Sequence, residues 1–388
     1  MSIPHIRFIH CADLHLDSRM ESHLSAFQAQ TRRKELLQTF SRMGTYAEEN
    51  QVRGILISGD LFDTARVSLS AVSDFLNCVQ EHPSIDFLYL PGNHDQQGPF
   101  LFSFDMKWPD NLWILQSSRQ DCTMPQSDND AFRHTVSQKE YGPVTITGLT
   151  GPADLLPPLS DSRINLVMLH GQFEPHGASH TSDGCFHYSV KDFAGRNIDY
   201  IAAGHIHQYQ SGSVDKRGIY CYSGCLEGRG FDECGEKGFV ILDIIPEDNR
   251  NSPICFHFIP FAARQFFDFN LDITGSADYH HIEQRVQELL RSVDSSNLVR
   301  LKLSGRISPE LNPHPDWLLQ KYADDFYFLH IEDCTRPIIC YEDYRYDSSL
   351  KGEFIRLVLS DPDLTEEDRE KIIMEGLHIL SGEEIPLS

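Results

Sequence analysis

Five hydrophobic stretches of this chain each run into side chains that can bind a metal ion or move a proton. One of them ends in "LPGNHD", where an amide, an imidazole and a carboxylate stand side by side at Asn93, His94 and Asp95. The other four end in "CADLHLD", "SGDLFD", "LHG" and "GHIH", and they supply Asp13, His15, Asp60, Asp63, His170, His205 and His207. Gathered in one place, these groups would repel or desolvate one another unless cations lay between them.

The types of these side chains indicate which cations would fit. Mixed nitrogen and oxygen ligands suit manganese, iron or zinc rather than magnesium or calcium alone. One such ion takes about four protein ligands, whereas the candidates number seven: Asp13, His15, Asp60, Asn93, His170, His205 and His207. This surplus predicts two divalent ions that share a carboxylate, an arrangement used for phosphoester hydrolysis. A purely structural explanation is disfavoured, because so many ionisable groups at strand ends are costly without a function.

The elements that carry these residues follow an α/β pattern. Predicted strands at 6–12, 53–59 and 85–92 alternate with helical patterns at 31–50 and 68–82. Such alternation predicts parallel strands with right-handed crossovers, and strands that are apolar at nearly every position indicate a sheet covered on both faces. Because the carboxyl ends of parallel strands line one crevice, we expect the candidate residues to converge there.

Further strands are predicted before the pattern changes near residues 261–265. They cover 143–149, 164–171, 199–207, 218–224 and 238–245. The last two flank a Gly-rich turn and are predicted to be antiparallel. Residues 117–142 are polar and aperiodic, which predicts a loop or a weak hairpin.

The C-terminal part of the chain has a different organisation. A β-α-β-α-β module is predicted with elements at 266–273, 278–292, 297–305, 315–323 and 325–333. Two acidic helices with apolar stripes are predicted over 348–388. We therefore predict three parts, which are a catalytic domain over 1–262, a small α+β capping domain over 263–345 and terminal helices over 346–388.

The composition narrows the class of protein. The 388 residues are 40% hydrophobic and 11% aromatic, enough for a packed core, and no apolar run approaches the roughly 20 residues that span a bilayer. No secretory signal is recognised at the N-terminus, and the ten cysteines lack paired spacing, which favours free thiols in the cytoplasm. The net charge of -24 disfavours a protein that binds nucleic acid unaided. A phosphate-containing substrate must be attracted locally, by metal ions, by clustered Arg and Lys, or by a partner.

The order DxH, GDxxD, GNHD, H and GHxH resembles the calcineurin-like metallophosphoesterase superfamily. Within it, "HCADLHL", "GDLFDT", "PGNHD", "GHIH" and "YSGCLEGRGFDECGEKGFV" are similar to SbcD-like bacterial DNA exonuclease subunits, especially their YhaO-like relatives. These motifs cover about the first 245 residues. The resemblance implies a four-layer αββα sandwich and a two-metal phosphodiester hydrolase, with Mn²⁺ the most expected ion and Fe or Zn as alternatives.

The resemblance also implies how the ligands are divided between the two ions. Three side chains would hold the first ion, and these are Asp13, His15 and His207. Three others would hold the second ion, and these are Asn93, His170 and His205. Asp60 would bridge both ions.

Four more residues have expected roles around the ions. His94 would donate a proton to the leaving oxygen, and Asp95 would orient it. Asp63 is expected either to support a metal ligand from behind or to stabilise its own turn. Arg229, in the Gly-rich loop, is expected to contact substrate phosphate or else to lie in a surface turn.

Three functions are compatible with these features. The first is a nuclease subunit for DNA repair or processing that works with an SbcC-like or related ATPase. For this function, the resemblance implies that the capping domain presents DNA and that the terminal helices dock on the ATPase. It also implies that the protein forms a homodimer. The second is a phosphodiesterase or phosphatase for nucleotides or phosphoproteins. The third is a non-catalytic scaffold that the metal ions merely stabilise.

Overall fold

The computed structural model describes nine segments of the chain, and every structural statement below refers to them. They are 5–20, 24–63, 67–95, 107–117, 134–174, 184–245, 253–308, 311–338 and 341–380. Within these segments, no helix combines the length and apolar character needed to cross a membrane. Of the predicted loop over 117–142, residues 118–133 lie outside the described part, and much of the remainder forms short strands.

The described helices agree with the helical periodicities of the sequence. They are α1 (Ala26–Glu49), α2 (Leu69–Glu81), α3 (Tyr279–Leu290), α4 (Pro315–Tyr322), α5 (Leu350–Ser360) and α6 (Glu366–Leu380). Helix α1 begins earlier than the periodicity indicated, because Ser25 and Gln28 form a capping box: the Ser25 hydroxyl accepts from the Gln28 amide, and the Gln28 side chain accepts from the Ser25 amide. Reciprocal capping satisfies amides of the first turn that have no partner inside the helix.

Two large sheets and two small ones contain the described strands. The first sheet consists of β1 (Ile6–Cys11), β2 (Gly54–Ser58), β3 (Asp86–Leu90), β4 (Leu112–Leu115), β5 (Thr135–Val136), β13 (Gly238–Ile244) and β14 (Ile254–Pro260). The second consists of β6 (Gln138–Tyr141), β7 (Val144–Leu149), β8 (Ile164–Phe173), β9 (Phe186–Tyr188), β10 (Tyr200–Gly204), β11 (Gln210–Ser213) and β12 (Ile219–Tyr222). The small sheets contain β15 (Phe266–Asp272), β16 (Leu298–Ser304), β17 (Arg306–Ile307), β18 (Phe328–Asp333) and β19 (Arg336–Pro337).

The first sheet has the strand order β14-β13-β1-β2-β3-β4-β5. Strands β1 to β5 are parallel, as the alternating pattern predicts, while β13 and β14 add antiparallel strands at one edge. In the second sheet, β7, β8, β10 and β12 are parallel neighbours, and β6 and β11 pair antiparallel at the two edges. The carboxyl ends of β1, β2, β3, β8 and β10 carry the candidate residues.

Three buried clusters hold these layers together. Helices α1 and α2 cover the outer face of the first sheet through residues such as Phe40 and Phe75. The two sheets pack face to face through residues such as Phe8 and Met168. The outer face of the second sheet is covered mainly by loops and short 3₁₀ turns, such as the one at Ala153–Leu155. The predicted α/β sandwich is confirmed, and in the described segments its fourth layer consists of turns rather than long helices.

One predicted pairing is wrong. The strands on either side of the Gly-rich turn were expected to be antiparallel partners, but β12 lies in the second sheet and β13 lies in the first. Residues 223–237 therefore cross from one sheet to the other instead of forming a hairpin. Four charged side chains of this segment contact the rest of the domain, which a simple hairpin turn would not require: Glu227, Arg229, Glu233 and Lys237.

The chain divides into two compact units by its internal contacts. The first contains 1–268, 294–300 and 323–329, and the second contains the remainder. The small sheet β15-β16-β18 runs through the C-terminal module, and in the second unit α5 and α6 pack through Ile355, Val358 and Ile373. The functional boundaries proposed from the sequence, at 262 and 345, stay predictions.

Candidate metal centre

Several candidate ligands follow the strands in a backbone conformation that L-residues rarely adopt. The φ angles are +51° at Asp13, +42° at His15, +49° at Asp60 and +102° at His205. Each such residue costs on the order of 1–3 kcal/mol, and clusters of them occur where a site needs them. The positive angles turn the chain sharply at the ends of β1, β2 and β10, so that side chains from separate strands face one point.

Two glycines allow this close approach. Gly59 has φ of +90°, and a Cβ atom at this position would lie 2.0 Å from Nδ1 of His170. A Cβ atom on Gly92 would lie 2.1 Å from Oδ1 of Asp60. The glycines in "SGD" and "PGN" therefore leave room for the neighbouring ligands to meet.

The first ligand group is formed around two imidazoles that face each other. Nε2 of His15 lies 3.2 Å from Nε2 of His207, and Asp13 completes the group. The other ring nitrogens face carboxylates: Nδ1 of His15 lies 3.2 Å from Asp63, and Nδ1 of His207 lies 2.6 Å from Glu233. With Nδ1 protonated in both rings, the two Nε2 lone pairs point at each other, and a cation between them would remove the repulsion.

The second ligand group is also formed by acceptors that face one another. Nδ1 of His170 donates to the carbonyl oxygen of Ser58 at 3.0 Å, so Nε2 presents a lone pair once the ring has lost its second proton. That Nε2 lies 2.9 Å from Oδ1 of Asn93 and 3.4 Å from Oδ2 of Asp60. The same Asp60 oxygen lies 3.8 Å from Nε2 of His15. Asp60 is therefore placed between the two groups, where a shared carboxylate is needed.

Asp13 and His205 connect the groups further. Asp13 belongs to a cluster with His15 and His207 and to another with Asp60 and His170. Its two carboxylate oxygens each accept from the backbone amide of His205 at 3.0 Å. The imidazole of His205 lies edge-on to that of His170, with ring centroids 5.4 Å apart.

The electrostatics of the cluster favour positive charge. Burial opposes protonation of His170, but Asp60 and Asp13 outweigh it and raise its pKa to about 9. Burial raises the pKa of Asp13 to about 6 and lowers the pKa of His15 to about 4. Burial also acts against ionised Asp60, yet the neighbouring imidazoles hold its pKa below the ordinary value. Without a cation, the site thus retains a proton beside Asp60, and a bound metal ion would displace it.

The surroundings of His94 differ from the expectation in one respect. Its ring is partly exposed, and Nδ1 donates to the main-chain carbonyl of Asp63 at 2.9 Å. Nε2 lies 4.0 Å from Asp60. Asp95 was expected to orient this ring, but its carboxylate accepts from the backbone amides of Leu61, Phe62 and Gly92. Asp95 is buried under the turn, so it fixes the loops after β2 and β3 together, and Asp63 orients the imidazole.

The structure also changes the expectation for Arg229. This guanidinium was expected to contact substrate phosphate or to lie in a surface turn, and it donates to Asp63 at 2.7 Å and to Glu233 at 2.8 Å. Both carboxylates lie behind the first ligand group. Of the two roles considered for Asp63, support of a ligand from behind matches its contact with His15, which lowers the pKa of Asp63 to about 2. Arg229 thus contacts the two carboxylates that support candidate metal ligands, and its contact with substrate phosphate stays a prediction.

Sequence reasoning missed Glu233. Its carboxylate is buried and contacts Nδ1 of His207; burial raises its pKa, but His207 and Arg229 pull it well below the usual range. The only signal in the sequence was the Gly-rich stretch "GRGFDECGEKG", which places several acidic and basic residues close together. Which of these charges turns inward is decided by packing.

Comparison with known proteins agrees with this geometry. Residues 6–209 match the model of the calcineurin-like phosphoesterase family, which is more than half of the chain, so the protein belongs to that family. This region contains all seven proposed metal ligands. The protein is therefore a metallophosphoesterase of the hydrolase class, and its candidate metal-binding groups lie at the carboxyl ends of its strands.

Among curated proteins, it is similar to the uncharacterised metallophosphoesterase YhaO of Bacillus subtilis, with 27% identity over 323 residues, 81% of this chain and 74% of that protein. It is also similar to the DNA double-strand break repair protein Mre11 of Methanosarcina acetivorans, with 22% identity over 383 residues. The alignment covers 96% of this chain but 56% of that relative. Among solved structures, a dimetal phosphatase from Danio rerio is 13% identical, with coverage of 66% of this chain and 99% of that one and a TM-score of 0.38.

Proposed function

We propose that this metallophosphoesterase is a two-metal phosphodiester hydrolase that acts on DNA as a nuclease subunit in repair or processing. The observation that carries the two-metal part is the position of Asp60, whose Oδ2 lies within 4 Å of a ring nitrogen from each of the two ligand groups. The DNA part is supported by the similarity to Mre11 along nearly the whole of this chain.

The ligands would be divided as the geometry suggests. One ion would be held by Asp13, His15 and His207, the other by Asn93, His170 and His205, and both by Asp60. Two ions held there would supply Lewis-acid stabilisation of the phosphoryl charge and favour in-line attack by water. The mixed imidazole and oxygen ligands suit Mn²⁺, with Fe or Zn as alternatives.

His94 is the proposed proton donor. Its Nδ1 is occupied by the Asp63 carbonyl, so Nε2 is the nitrogen that faces the site. As an imidazolium, His94 would donate the Nε2 proton to the departing oxygen and be left as the neutral tautomer that the Asp63 carbonyl favours. A metal-stabilised scaffold needs no such group, so the presence of His94 beside the ligands disfavours that function.

The net charge of -24 bears on the partners. A nuclease with this charge needs help to hold DNA, and we propose that an SbcC-like or related ATPase subunit supplies it. Helices α5 and α6 leave Leu350, Leu357 and Ile379 exposed and are the proposed docking segment. Homodimer formation and presentation of DNA by residues 263–345 belong to the same proposal.

The same charge favours a second candidate, a phosphodiesterase or phosphatase for nucleotides or phosphoproteins.

Purified protein with Mn²⁺ would be incubated with labelled duplex DNA, single-stranded DNA, a chromogenic diester and a phosphate monoester. Cleavage of DNA and of the diester by the wild type, with DNA cleavage lost in His94→Ala, supports the nuclease. Turnover of the monoester alone would support the second candidate instead.

A further inference from the structure

The guanidinium of Arg229 joins the two carboxylates behind the first ligand group. Nη1 donates to Oδ1 of Asp63 at 2.7 Å, and Nη2 and Nε donate to Oε1 of Glu233 at 2.8 and 3.2 Å. These are the carboxylates that face the outer nitrogens of His15 and His207. All three guanidinium nitrogens are therefore committed to the supports of one pair of imidazoles.

We propose that Arg229 is a positioning residue that fixes His15 and His207 as one unit and so sets the affinity of the first cation position. The inference rests on the proposed two-metal function and adds a residue to it. Asp63 and Glu233 come from segments about 170 residues apart in the chain. Without the Arg229 guanidinium between them, the two negatively charged carboxylates would repel each other and move apart. The two rings would then lose their common orientation.

The second cation position does not depend on this network. The outer nitrogen of His170 is held by the main-chain carbonyl of Ser58, and Asn93 follows β3 directly. His170 is thus supported by the main chain rather than by the carboxylates that Arg229 joins. Loss of the Arg229 side chain should therefore weaken one position and leave the other intact, which a general loss of stability would not do.

The Gly-rich segment has other anchors, so it should keep its path without the guanidinium. The carboxylate of Glu227 is buried and accepts from Arg32 of α1 at 2.9 Å and from Thr39 at 2.7 Å. Lys237 donates to the carbonyl of His207 at 2.8 Å. The backbone amide of Arg229 still donates to Glu233 whichever side chain is present.

The test compares Arg229→Gln with Arg217→Gln. Arg217 forms a similar two-point contact with Asp199, at 2.9 and 2.8 Å, but touches none of the metal ligands. Chelator-stripped full-length protein would be titrated with Mn²⁺ by calorimetry, and the electron paramagnetic resonance spectrum would report whether two Mn²⁺ ions are coupled. In Arg229→Gln, we expect the Mn²⁺ affinity of one position to fall about 10- to 100-fold, with loss of the coupled spectrum, while the affinity of the other position is unchanged. Arg217→Gln should match the wild type in both measurements.

Glu233→Gln is a second variant, because it keeps an oxygen acceptor for His207 but removes the charge. This variant should lower the Mn²⁺ affinity of the same position, and it replaces Arg229→Gln in the test if Arg229→Gln does not fold. Both affinities within threefold of the wild type, or equal weakening of both positions, would overturn the inference while the proposed function stands. A wild-type protein that binds no second ion would overturn the two-metal function and this inference together.

Discussion

The two halves of the candidate metal centre present similar side chains but are supported in different ways. In one half, His15 and His207 are oriented by the side chains of Asp63 and Glu233, which Arg229 joins. In the other half, His170 is oriented by the main-chain carbonyl of Ser58 at the end of β2. The orientation of a ligand that is held by side chains can be changed by one substitution. A ligand held by the backbone can be disturbed only by moving the strand or its turn.

Removing the group shared by both halves should have the largest effect. In Asp60→Asn the bridging position loses its negative charge, so at least one ion should be lost from each chain. Loss of metal-based stabilisation amounts to several kcal/mol, or on the order of 10³-fold in rate. Elemental analysis beside the hydrolysis rate checks this, and two retained ions would remove Asp60 from the bridging role.

His94→Ala should leave both halves loaded and still slow the reaction. The loss of a general acid is expected to reduce turnover on the order of 10²- to 10³-fold. A diester with a nitrophenyl leaving group provides the control, because such a leaving group scarcely needs protonation and should lose much less activity. Turnover of DNA near the wild-type rate would show that another group supplies the proton.

The half held by the backbone can be disturbed at Gly59. In Gly59→Ala the new methyl group would meet His170 and should weaken metal binding at that half about 10- to 100-fold. Gly142→Ala is the matched control, because Gly142 also has positive φ (+57°) but a Cβ atom there would have no neighbouring atom within 4 Å. Calorimetric titration and melting curves separate the two effects, since only Gly59→Ala combines strain with loss of an ion. Equal behaviour of the two variants would contradict the importance of close approach at Gly59.

The smallest effect concerns pH. The pKa of about 9 at His170 means that the metal-free site is protonated below pH 9, and a metal ion must displace that proton. Metal affinity should therefore rise with pH between about 7 and 9, by up to tenfold per unit for one displaced proton. Calorimetry in buffers of different ionisation enthalpy should detect close to one proton released per chain at neutral pH. An affinity independent of pH over this range would show that His170 is neutral before metal binds.

Much of the fold could be predicted because its signals are local. Apolar runs separated by helical periodicity identify β1 to β3, α1 and α2, and parallel pairing then directs Asp13, Asp60 and Asn93 to the same edge. The destinations of β12 and β13 could not be predicted in this way. Both are short apolar strands on either side of a Gly-rich turn, and nothing local shows that they enter different sheets.

The types and order of the proposed ligands, and the sheet edge where they meet, were determined by the sequence alone. What orients those ligands was decided only by the tertiary structure: Asp95 bonds to backbone amides, and Arg229 turns toward Asp63 and Glu233. The physical reason is the range of the interactions. Strand and turn propensities act over a few neighbouring residues, whereas the contact between Asp63 and Arg229 joins positions 166 residues apart and exists only once the two sheets have packed.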